Sequence, residues 1–163
     1  MSILAPELLT EHHQVDSFSC GVDAMNVWLK QRAIKNQVNG ASRVFVACEQ
    51  SRVIAYYALA LGAVNIEQAA GRFRRNMPDP IPVIVLGRLA VDQAFQGKGI
   101  GRTLIRDAGY RIMQAADVIG IRGVIAHAIS ESAKEFYEQV GFSSSPLDPM
   151  ILMITLGDLK ASI

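Results

Sequence analysis

Three glycines stand two residues apart at positions 97, 99 and 101, within Leu86–Leu104 (LGRLAVDQAFQGKGIGRTL). An apolar run precedes them and a helical pattern follows. Glycine lets the backbone turn tightly and lets amides approach a ligand with no side chain in the way. The unpaired amides of a helix start, with the helix dipole behind them, form an anion site suited to a pyrophosphate. Lys98 and Arg102 add positive charge beside it. The segment is not a P-loop, because no Gly-Lys-Ser/Thr ends it. A dinucleotide fingerprint requires Gly-x-Gly-x-x-Gly, whereas the spacing here is Gly-x-Gly-x-Gly after a mid-chain strand. The alternative is a glycine-rich turn that binds nothing. The strand–loop–helix context and the two flanking cations favour the anion site.

Other chemistry-bearing residues are sparse. The two cysteines, Cys20 and Cys48, form no CxxC and have no nearby histidine to complete a zinc site, so no metal is expected. Cys48 lies in an apolar run and reads as a small buried hydrophobe. His127 lies in an apolar strand pattern, where a core histidine with satisfied hydrogen bonds is the expectation. Tyr137, in Ala133–Glu138 (AKEFYE) just before Gly141-Phe142, is one of two adjacent aromatics on a helical pattern. Taken alone, both would be core aromatics.

The elements that must position these groups follow from periodicity. The 163 residues are 50% hydrophobic and 19% charged with net charge +1, which suits one folded domain over 1–163 and excludes disorder. Ser19–Asn36 reads as an amphipathic helix through Val22, Met25, Leu29 and Ala33, with Ser19 or Asp23 at its start. Arg43–Glu49 and Val53–Leu61 read as a hairpin across Gln50–Arg52. Glu67–Asn76 is polar and basic with a short helix, and Asn76–Pro82 (NMPDPIP) is a proline-bound loop. Pro82–Val91 is nearly continuously apolar, as in a central strand buried on both faces. A helix over about Gly101–Val118, a strand over Arg122–Ala128, a helix over Ser132–Val140 stopped by Gly141, and a strand over Met150–Leu156 complete the order. The fold class is α/β, a mixed central sheet with helices on both faces and a strand–helix–strand crossover from Pro82 to Ala128. No apolar run approaches the length of a membrane span, and Met1–Thr10 lacks a basic segment followed by an apolar one. A soluble, cytoplasmic protein with no membrane partner is expected.

Gln96-Gly97-Lys98-Gly99-Ile100-Gly101 resembles the Gln/Arg-x-x-Gly-x-Gly/Ala pattern of the GCN5-related N-acetyltransferases (GNAT). The element order is also the family's, so the resemblance covers nearly the whole chain. It implies a GNAT fold that takes acetyl-CoA as cosubstrate. It also implies that Gln96, Gly97, Lys98, Gly99, Ile100, Gly101 and Arg102 hold the pyrophosphate. Leu89, Ala90 and Val91 would then lie beside the pantetheine, and Ser132, Ala133 and Phe136 along the adenine or pantetheine side. Tyr137 becomes the general acid for the departing thiolate. Some family members place a glutamate base on the central strand, yet Val83–Val91 contains no acid and Arg88 is its one charge. Asp92 reads as a cap or turn former, and Glu131, Glu135 and Glu138 as a solvated helix face. An α-amine is roughly 15% neutral at pH 7 against about 0.04% for a lysine. A missing base therefore leans toward an α-amine acceptor.

Between Lys30 and Arg75 eight cations face only Glu49 and Glu67, leaving a large positive excess in a chain of net +1. Such concentration forms either a phosphate-binding footprint or an ordinary solvated surface. Phe18–Gly21, Ala24–Leu29, Arg72–Arg75 before Asn76–Pro80, and Leu86–Val91 resemble one GNAT subgroup, the toxins of bacterial type II toxin–antitoxin modules. That resemblance implies acetylation of the α-amine on aminoacyl-tRNA and a block to translation. It also implies a homodimer, and neutralisation by a ribbon-helix-helix antitoxin. Lys30, Lys35, Arg72, Arg74, Arg75 and Arg88 are then the candidate tRNA contacts. A GNAT enzyme for small amines or protein N-termini, and an acetyl-CoA-binding module without catalysis, are the alternatives.

Overall fold

A computed structural model describes residues 3–163. Seven strands form one sheet in the order β1-β2-β3-β4-β5-β7-β6. They are β1 (Glu7–Leu8), β2 (Arg43–Glu49), β3 (Arg52–Val64), β4 (Ile81–Val91), β5 (Gly123–His127), β6 (Ser143–Ser144) and β7 (Ile151–Thr155). The helices are α1 (Asp23–Gln31), α2 (Ala33–Val38), α3 (Gly71–Arg74), α4 (Ile100–Ala116), α5 (Glu131–Val140) and α6 (Leu156–Ser162). Val83–Leu86 of β4 pair in parallel with Gly123–Ala126 of β5. Parallel neighbours need a crossover connection, and α4 supplies it. The β1/β2, β2/β3, β5/β7 and β6/β7 pairs are antiparallel, so the sheet is mixed as expected.

The chain divides into two compact units, residues 1–60 with 88–108 and residues 61–87 with 109–163. In the first, α1 and α2 bury Met25, Leu29 and Ala33 against Val44, Val46, Tyr56 and Ala90. The helix expected as one piece over Ser19–Asn36 is two. Arg32 (φ −121°, ψ −28°) breaks it, yet buried Leu29 and Ala33 keep their four-residue spacing across the break. The apolar pattern therefore continues where the backbone does not. Neither Ser19 nor Asp23 caps the start: Val22 holds the cap position without a side-chain bond. Ser19 and the Asn26 side chain are used otherwise, Asn26 Oδ1 accepting from the Cys20 N–H at 2.9 Å.

In the second unit Ala69, Phe73, Ile81, Val83, Ile125 and Met153 form a core beneath α3. Thr155 caps α6, its hydroxyl accepting from the Asp158 N–H at 3.2 Å. Reading a strand through Leu156 hid this helix, and β1 and β6 are too short for any periodicity. The hairpin strand β3 runs to Val64, past the expected Leu61, while Gln50 (φ 58°) makes the turn. His127 is not a core residue; it sits exposed at the end of β5, because the strand's last position leaves the sheet's buried layer.

Gly123 is the most crowded of this unit's glycines. A Cβ there would meet the Ile154 carbonyl and, at 2.7 Å, the Phe73 ring. Backbone cannot give way as a flexible side chain can. Gly123→Ala should therefore cost about 3 kcal/mol and lower the melting temperature by roughly 10 °C, read by thermal unfolding. An unchanged melting temperature would show that β5 and β7 can part at no cost.

Candidate active site

The turn from β4 into α4 is pinned from behind. Asp92 is only 7% exposed. Its Oδ1 accepts from the Ala94 N–H and its Oδ2 from the Ser19 N–H, each at 3.0 Å. The Gln93 N–H donates to the Ser19 carbonyl at 2.8 Å, and the Asp92 N–H to the Ile54 carbonyl of β3 at 2.8 Å. Gln96 completes the latch: its Nε2 donates to the Val91 carbonyl at 2.8 Å and the Cys20 carbonyl at 3.0 Å. Gly21 (φ 92°) lies so close to the Gln93 side chain that a Cβ would sit 2.9 Å from Nε2. The Phe18–Gly21 motif is thus the backing of the loop. Asp92 does cap, and it also holds a segment 73 residues earlier, a role spacing could not reveal.

With its rear fixed, the loop presents Gln96–Gly99 to solvent. Gly97 (φ 78°) and Gly99 (φ 80°) are left-handed, and a Cβ at either would meet no protein atom within 4 Å. Backbone conformation, not crowding, requires glycine there. Gly101 is an ordinary residue in the first turn of α4, where Ile100, Gly101 and Arg102 carry amides with no intrahelical partner. Lys98 Nζ lies 5.5 Å from the Phe95 ring centroid and the Arg52 guanidinium 5.6 Å from it, within cation–π range. Arg52 is a cation at this loop that sequence distance concealed. The arrangement, left-handed glycines, free first-turn amides and nearby cations, fits a diphosphate.

Further back on β4, Leu89 and Val91 are half-buried and Ala90 is buried. Arg88 is half-buried, its guanidinium 4.7 Å from the Trp28 ring centroid.

In the second unit, Ser130 caps α5 by accepting from the Ala133 N–H at 3.1 Å, and Gly141 (φ 120°) ends it. Tyr137 is 6% exposed, with Phe136 and Phe142 rings at 5.4 and 5.2 Å. Burial pushes its phenol well above the usual tyrosine range, so the hydroxyl stays protonated at any working pH. Ala133 and Phe136 are half-buried, and Ser132 is exposed. Glu131, Glu135 and Glu138 are exposed, as a solvated face would be. Cys48 is buried, and burial raises its thiol to about 11, which makes it inert. Among the described residues no group of three His, Cys, Asp or Glu is placed to hold a metal. No helix among them is long and apolar enough to cross a membrane.

The basic stretch is divided between the units. Lys30 and Lys35 are exposed on α1 and α2, and Arg74 and Arg75 at the end of α3. Arg72 is drawn to Asp158 at 2.9 Å.

Residues 40–144 match the acetyltransferase (GNAT) domain model. The chain is 48% identical over 159 residues to a tRNA-acetylating toxin of Mycobacterium tuberculosis, covering 98% of this chain and 96% of the relative. The chain belongs to the GNAT acetyltransferase family. AtaT complexed with acetyl-methionyl-tRNAfMet superimposes on it with TM-score 0.90 at 26% identity, over 98% of both chains. AtaTR bound with acetyl-CoA gives TM-score 0.86 at 28% identity, over 99% of this chain and 98% of that one.

The pinned turn, with its left-handed glycines and first-turn amides, is the part of this GNAT domain suited to a diphosphate such as that of an acyl-CoA donor. Gly99→Val should force a left-handed branched residue and obstruct the approach. Calorimetry should show at least tenfold weaker acetyl-CoA binding with the fold retained. Unchanged affinity in a folded variant would remove the loop from the donor site.

Proposed function

We propose that the chain is the toxin of a toxin–antitoxin pair, moving acetyl from acetyl-CoA to the α-amine of the amino acid on charged tRNA and so blocking translation. The likeness to the tRNA-acetylating toxin along nearly the whole chain carries this reading. Gln96, Gly97, Lys98, Gly99, Ile100, Gly101 and Arg102 hold the diphosphate, and Leu89, Ala90 and Val91 lie beside the pantetheine. Ser132, Ala133 and Phe136 line the adenine or pantetheine side. Tyr137 gives its proton to the departing thiolate, its hydroxyl being protonated in the resting protein.

No carboxylate on β4 stands ready as a base, and an α-amine needs less help than a lysine to lose its proton. The exposed Lys30, Lys35, Arg74 and Arg75 are the phosphate contacts we favour. Arg72 shares its charge with Asp158, so its contribution is smaller. The whole chain works as a single domain, which the family match over 40–144 supports because it crosses both compact units. The protein is cytoplasmic and a homodimer, with a ribbon-helix-helix antitoxin as its partner.

Labelled acetyl-CoA incubated with total charged tRNA should yield acetylated aminoacyl groups, identified by mass after their release. Tyr137→Phe keeps the ring packing and should bind acetyl-CoA normally, yet transfer about 100-fold more slowly. Small amines acetylated while charged tRNA stays unmodified would overturn the toxin reading. Near-normal turnover by the variant would return Tyr137 to the core.

A further inference from the structure

We propose that Arg88 meets the aminoacyl end of the acceptor, donating hydrogen bonds to its ester carbonyl oxygen and holding its α-amine in the uncharged, nucleophilic form. The inference rests on the transfer reading above and adds the group that stands where a base is missing.

The observation is a half-buried cation with no counter-charge. Arg88 stacks on Trp28, and Trp28 stacks in turn on Tyr56, the two rings 6.0 Å apart and 10° from parallel. Phe18 closes the stack edge-on, 5.4 Å from Tyr56. Stacking occupies the face of the guanidinium and leaves its in-plane N–H donors. One of them, on Nη1, spends itself on the Met25 sulfur at 3.5 Å, a weak acceptor. Among the described residues no carboxylate pairs with Arg88.

The titratable groups around it do not neutralise it. From β3, the Tyr56 hydroxyl donates to the Met25 carbonyl at 2.7 Å. Burial raises that phenol well above its ordinary range, more than Arg88 lowers it, so Tyr56 remains neutral. From the Phe18–Gly21 segment, the Cys20 thiol is turned to the Val22 carbonyl. From α1, Met25 and Trp28 carry no charge. A partly desolvated guanidinium whose partners are a ring face and a thioether keeps in-plane N–H donors that an acceptor oxygen of a ligand can satisfy.

Position along β4 says which part of the acceptor that ligand is. A donor arm anchored after Val91 and lying along Leu89–Val91 runs back toward the start of the strand. Its acyl end then comes to the residue before Leu89, which is Arg88. The only part of a charged tRNA that must reach the acyl carbon is the aminoacyl group. Exposed cations suffice for its phosphates.

The chemistry balances with the groups named. The amine nitrogen forms the bond to the acetyl carbon, the carbon–sulfur bond breaks, and the thiolate leaves with the Tyr137 proton. The surplus proton on nitrogen passes to water and Tyr137 is reprotonated from solvent. A cation beside the amine disfavours its ammonium form. Each unit by which the amine's pKa falls gives about tenfold more nucleophile below that pKa.

The test is the pH dependence of kcat for acetylation of total charged tRNA, from pH 6 to 9, in wild type, Arg88→Gln and Arg88→Lys. Acetyl-CoA affinity serves as the check of folding. Arg88→Gln should shift the rise of kcat upward by about one unit, a deficit near tenfold at pH 6.5 that closes by pH 9. Arg88→Lys keeps the charge and loses the planar fork, so its profile should match wild type while KM for charged tRNA rises. A Gln profile parallel to wild type, or a Lys variant with the Gln profile, overturns the proposal and leaves the transfer reading standing. Should Arg88→Gln fail to bind acetyl-CoA, the Lys variant alone decides: a shifted profile rejects the proposal. Wild type unable to modify charged tRNA overturns the transfer reading, and this proposal with it.

Discussion

The buried carboxylate of Asp92 is the interaction on which the rest of the active site depends. It accepts two backbone N–H groups, one from the turn it begins and one from Ser19. A charge acceptor so placed is among the stronger hydrogen-bonding arrangements available to a protein. Removing it would free both N–H groups and untie the turn from the Ser19 segment. Gln96 adds two further bonds to the same construction. Gly97 and Gly99 take the left-handed conformation without steric cost, and the side chains behind the loop fix the turn around them. The amides in front remain open.

This arrangement also explains why the segment before α1 belongs to the site. Phe18–Gly21 is fixed to the loop on one side and leads into Met25 and Trp28 on the other. The same few residues thus set both the glycine turn and the aromatic stack beneath Arg88. A disturbance at Asp92 would reach Trp28 through a short, well-bonded path within one compact unit.

The sequence made some of this legible and concealed the rest for physical reasons. The loop was readable because glycine spacing and a helix start are local signals. So were β4, whose apolar run reports burial on both faces, and Gly141, whose conformation ends α5 as expected. Concealed were relations across sequence distance: Asp92 to Ser19, Gln96 to Cys20, and Arg52 to Phe95. The break at Arg32 was invisible because burial periodicity continues across it. His127 is exposed although its neighbours are apolar, because it is the last residue of β5, past the buried run. Tyr137 could be singled out only by resemblance, since its burial and aromatic contacts are those of any core ring.

Hydrogen exchange of the Gly97–Arg102 amides tests whether the pinned turn holds the donor's diphosphate. Acetyl-CoA should protect these amides, while S-acetylpantetheine, which lacks the diphosphate, should leave them exchanging as in the free protein. Equal protection by both compounds, or none by acetyl-CoA at saturation, would mean that the diphosphate does not rest on these amides.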